Sequence, residues 1–156
     1  MDFRKLARII ILIATIICII PLALSILATA NLIITWWEFI VTPIIGFGLL
    51  IYLGIAIVLV VVILILNIII PLIGFFRIHY ENRERFAIIF LFIAIITFFF
   101  AYLFWELWLG RAPEILPIFS MAFAPYSYFL MIFLIAGGIV YILASILTIL
   151  IREPTQ

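Results

Sequence analysis

Residues 9–76 read IIILIATIICIIPLALSILATANLIITWWEFIVTPIIGFGLLIYLGIAIVLVVVILILNIIIPLIGFF, and they carry one formal charge, Glu38. At 1.5 Å per helical residue the stretch is roughly three times as long as a ~30 Å hydrocarbon core requires. It must cross a bilayer, turn and cross again. Glu38, beside Trp36 and Trp37, marks the turn, because amphipathic indoles settle at the headgroup level.

Working outward, the rest of the chain has the same character. It is 71% hydrophobic and 10% charged, with a mean hydropathy of +1.61. Soluble domains hold about 25% charged residues. The chain therefore reads as one integral membrane domain, all-α, a four-transmembrane-helix bundle. The first crossing covers about 6–31, with Asp2 as a possible cap and Pro21 at mid-span. The second covers about 43–74, opened by Thr42-Pro43, a cap followed by proline at the first helical position. Asn67 and Pro71 are expected to close or bend its inner end. The third runs over about 83–109, capped by Asn82 and ending in an aromatic belt of Tyr102, Trp105 and Trp108. The fourth covers about 127–151. Residues 110–126 carry Pro113, Pro117 and Pro125 among apolar side chains and are expected to lie in the interface as an apolar loop. A secretory reading of the N-terminus, with Ala28-Thr29-Ala30 as the cleavage motif, competes with the first crossing. Its apolar run exceeds the ~7–15 residues of a signal h-region.

Charge placement orients the bundle. Arg4, Lys5 and Arg8 precede the first crossing, Arg77, Arg83 and Arg85 lie between the second and third, and Arg152 follows the fourth. Arg111 alone falls on the other side. The positive-inside rule then places both termini in the cytoplasm and the protein in the cell membrane. A net charge of +1 gives no footprint for nucleic acid. Abundant isoleucine is compatible with a thermophilic source.

Lipid tails are as apolar as leucine, so membrane helices associate largely through small residues that allow close approach. Ala14, Cys18, Ser25 and Ala28 share one face of the first crossing at alternating four- and three-residue steps. Ala87, Ala94 and Ala101 repeat at heptad spacing in the third. Gly137, Gly138, Ala144 and Ser145 form a seam on the fourth. The second crossing is bulky all round from Val58 to Leu66 and is expected to face lipid or a partner subunit.

Few residues suggest chemistry. Glu106, about one turn from the outer end of the third crossing, could handle ions, with Glu38 and Arg111 nearby in the topology. Its shallow depth favours an interfacial carboxylate among tryptophans, one that could pair with Arg111. His79 is the only histidine, so neither bis-histidine haem nor a histidine-rich zinc site is available within the chain. Cys18 is the only cysteine, which excludes a CxxC thiol oxidase, and the first crossing lacks the glutamate of small multidrug exporters. Asn67 reads as a hydrogen-bonding contact between helices.

No catalytic, cofactor or metal site is expected. The expected function is a non-catalytic accessory subunit of a larger membrane complex, in contact with lipid and with other integral membrane subunits. Two alternatives stand beside it. One is a small homo-oligomeric channel or carrier using Glu106. The other is a quinone- or lipid-binding subunit of a redox complex, with an apolar pocket near Trp105 and Trp108.

Overall fold

The computed structural model describes residues 3–40, 43–109 and 117–151, with side chains described for 3–35, 50–109 and 123–151. All regular structure among them is helical. Helix α1 spans Phe3–Ile40 and α2 spans Pro43–Leu64. A π-helical turn at Ile65–Ile69 joins α2 to α3, Ile70–Arg77. A 3₁₀ turn at Tyr80–Asn82 leads into α4, Arg83–Trp108, and α5 spans Pro117–Ile149. Four helical segments are long and apolar enough to cross a membrane: Phe3–Thr35, Leu50–Arg77, Tyr80–Trp108 and Phe123–Ile149. The chain is an all-α bundle of four such crossings, a membrane-embedded protein.

Several boundaries differ from those expected. The first helix does not end near Asn31. It continues to Ile40, about 57 Å at 1.5 Å per residue, because residues 22–40 hold no glycine or proline to stop it. The second crossing continues past 74 to Arg77. Within the expected loop 110–126, residues 117–126 already belong to α5. Pro117 takes the first helical position, where a missing N–H is harmless. Pro125 lies inside the helix, a position membrane helices accept when neighbouring groups satisfy the freed carbonyl. Two residues later Ser127 donates its hydroxyl to the Ala124 carbonyl at 2.7 Å. Phe123, expected in the loop, is fully buried and stacks on Phe104.

Helix α5 packs against both α4 and α1, and α1 packs against α2 and α3. The backbone of α4 meets the second crossing chiefly at the π turn, so the four crossings close into a ring at that level. One core cluster lies toward the end that carries the chain termini, around Ile11, Phe90 and Tyr141. The other lies toward the opposite end, around Ala28, Phe104 and Leu130.

The basic end is tied by hydrogen bonds to helix-end carbonyls. The last turn of a helix leaves carbonyls without intrahelical partners, and they carry partial negative charge. At the end of α3, three successive carbonyls take donors from elsewhere. Arg8 Nη2 donates to Phe76 O at 3.4 Å, Asn82 Nδ2 to Arg77 O at 2.7 Å, and Arg4 Nε to Ile78 O at 3.2 Å. Arg83 donates to the Ile151 carbonyl just after α5 and lies over the Tyr80 ring, 4.4 Å from its centroid. Asn82 was expected to cap α4. Its side chain makes no such bond; it closes the preceding turn instead, accepting from His79 N at 2.7 Å.

Candidate functional site

Where a membrane bundle buries polar side chains, each has a reason to be there, since hydrocarbon satisfies none of its hydrogen bonds. The most extensive group here is built around Asn67 at the centre of the π turn. The cause is local. Pro71 has no N–H, so the Asn67 carbonyl four residues earlier loses its α-helical donor, and the proline ring would crowd that carbonyl in a regular helix. The chain widens instead, and Ile70 N–H bonds to Ile65 O, five residues back. The Asn67 carbonyl is taken by another helix: the Tyr141 hydroxyl of α5 donates to it at 2.6 Å.

The Asn67 side chain binds two further helices. Its Oδ1 lies 2.8 Å from Thr97 Oγ1 of α4 and 3.7 Å from Cys18 Sγ of α1. Thr97 Oγ1 is also 2.7 Å from the Ile93 carbonyl of its own helix. One hydroxyl has one hydrogen, so it cannot fully serve both oxygens. Asn67 Nδ2, meanwhile, is buried without a partner. Turning the amide by half a turn would let the nitrogen donate to Thr97 Oγ1 and free the Thr97 hydrogen for Ile93, but would put the oxygen in the position without a partner. Thr15 of α1 contacts the Tyr141 hydroxyl and donates to its own Ile11 carbonyl at 2.9 Å. All four crossings thus meet in one uncharged polar knot, whose members Cys18, Asn67, Thr97 and Tyr141 are fully buried.

The knot lies near mid-depth. Cys18 is ten residues beyond Arg8, and Asn67 ten residues before Arg77. Each is therefore about 15 Å along its helix from the basic end, half of a ~30 Å core.

The small residues singled out from sequence lie at the contacts around this knot. Ala14, Cys18, Ser25 and Ala28 are fully buried, as is Ala144. Gly137 is buried against Cys18: a Cβ at Gly137 would stand 2.6 Å from the sulfur. Gly138 faces the Phe98 ring of α4, whose nearest atom would be 2.9 Å from an added Cβ. Ser145 donates to the Ala87 carbonyl at 2.8 Å, joining α5 to α4. Ser25 Oγ is buried and has no hydrogen-bond partner.

The charged candidates form no centre among the described residues. Glu106 is half-buried two residues before the end of α4. Beside it Trp105 and Trp108 pack on each other, and Trp108 packs on Tyr128 of α5. Arg111 and the side chain of Glu38 lie outside the described residues, and so does any pairing of Arg111 with Glu106. No cluster of histidine, cysteine and carboxylates able to hold a metal occurs among the described residues. A recess of about 330 Å³ lies between α4 and α5, lined by Phe98, Tyr102, Trp105 and Met131 among others.

Tyr141 was not singled out from sequence. Its signal was indirect: Asn67 and Pro71 stand four apart, which leaves a buried carbonyl requiring an outside donor. No family model, curated protein or solved structure matches the chain.

Proposed function

We propose that this chain is a non-catalytic structural subunit of a membrane protein complex, seated in the cell membrane with its basic end in the cytoplasm, and that it acts by presenting α2 to a partner's transmembrane helix. One observation carries the reading. The face of α2 formed by Leu50, Gly54, Ile57 and Val61 is exposed, and a Cβ added at Gly54 would meet nothing within 4 Å. Glycine inside a helix costs about 1 kcal/mol relative to alanine, and the packing of this chain makes no use of Gly54. Small residues at membrane helix interfaces let backbones approach, so the notch at Gly54 suits a helix from another chain.

The polar knot supports the same reading. Its hydrogen bonds join four helices at one depth, which holds the bundle in register. Ser25, Ser145 and Thr148 are not part of it: Ser145 and Thr148 bond to the Ala87 and Ala144 carbonyls.

Purification in mild detergent, followed by identification of co-migrating chains, tests the proposal. Partners in fixed stoichiometry are expected. The Gly54→Leu variant should lose them while keeping the bundle's thermal stability, since the new side chain points into open space. Wild-type chain that purifies alone, or partners retained by Gly54→Leu, would overturn the reading.

A further inference from the structure

Above the π turn, toward the end opposite the chain termini, α2 leans on α1 and diverges from α4. The gap is an apolar groove of about 260 Å³, walled by Leu59 and Val62 of α2 and by Phe100, Leu103 and Leu107 of α4. Phe104, only 2% exposed, lies buried at its floor. We propose that this groove holds one acyl chain of a membrane phospholipid from the leaflet farther from the termini, as a bound lipid distinct from the exchanging annulus.

Depth comes first. The groove runs from Phe100, three residues past Thr97 of the mid-depth knot, to Leu107, one residue before Trp108. Seven residue steps are about 10 Å of helix, most of the ~15 Å of hydrocarbon in one leaflet. A chain in the groove would end near the bilayer midpoint, with its headgroup at the level of Trp105 and Trp108. Size and lining come next. A helix with side chains is about 10–12 Å across, and a groove of about 260 Å³ is too narrow for one. Its walls are isoleucine, valine, leucine and phenylalanine, without the small residues that helix–helix contact in lipid needs. It also offers far fewer side chains than the ~20–30 a side of a stable protein interface. A quinone is disfavoured because no polar side chain lines the groove to anchor the ring. This site is separate from the Gly54 face and stands whether or not a protein partner exists.

The test uses the full chain in nanodiscs of dioleoyl phosphatidylcholine supplemented with ubiquinone-10, read by native mass spectrometry. One phosphatidylcholine should stay bound per chain, and Val62→Trp, which fills the groove, should lose it. Ile95→Trp, on an exposed face of α4, should retain it. As a second measurement that needs no variant, phosphatidylcholine bearing a diazirine at the chain end should label the wild-type protein at Val62 and Phe100 in preference to Ile88 and Ile95. Retention of the quinone instead, retention of lipid by a folded Val62→Trp, self-association of the chain through this face, or labelling spread evenly over the exposed faces would each overturn the proposal.

Discussion

Gly137 and Cys18 show how narrowly the contact between α5 and α1 is fitted. The missing Cβ of one residue leaves the space that the sulfur of the other fills. Gly137→Ala should therefore destabilise the bundle by about 1–3 kcal/mol, the usual range for overpacking. Cys18→Ala in the same chain should recover most of that loss, because the new methyl then occupies the vacated sulfur position. Unfolding titrations of the two single variants and the double variant measure the coupling; strictly additive effects would show that the contact is not made. The heptad and four-three spacing of small residues was legible in the sequence. Which small residue meets which was not, since that depends on the rotation of each helix about its axis.

At the scale of the element, the π turn is the part that sequence periodicity handles least well. Apolar residues surround Asn67 on both sides, so no change of pattern announces the extra residue. The Asn67–Pro71 spacing creates a free carbonyl, and Tyr141 on a distant part of the chain satisfies it. Tyr141→Phe should cost about 1 kcal/mol, between the mean of ~0.6 and the maximum of ~1.7 kcal/mol measured for polar contacts between membrane helices. It should also speed hydrogen exchange at the amides of Ile65–Ile70, with little change in mid-α4. Unchanged exchange there would mean that the turn is held by something other than the tyrosine. The other misplaced boundaries have a related cause. Tryptophan and glutamate at 36–38 mark an interface depth, and a helix can carry that depth mark without ending at it. Pro117 and Pro125 suggested a loop, yet α5 begins at the first and runs through the second.

For the whole molecule, the ends are distinguished by charge. Arg4, Arg8 and Arg83 satisfy helix-end carbonyls, which gives the basic residues a structural use besides fixing orientation. If that end is cytoplasmic, a cysteine at Glu81, which is exposed, should react with an impermeant maleimide only in inside-out vesicles. One at Leu109, at the other end, should react only in right-side-out vesicles. Cys18 should stay unlabelled in both until the protein is denatured, because it is fully buried. The reverse pattern would invert the topology.

Composition and run length by themselves determined that this protein is helical, membrane-embedded and built from four crossings, because hydrocarbon admits few other ways to satisfy a backbone. They also determined which end is basic and which faces carry small residues. Only the tertiary structure decided that Cys18, Asn67, Thr97 and Tyr141 meet at one depth, and that α2 and α4 part above them to leave a groove. Those features depend on contacts between residues far apart in the chain, and in so uniformly apolar a sequence local pattern scarcely distinguishes one helix face from another.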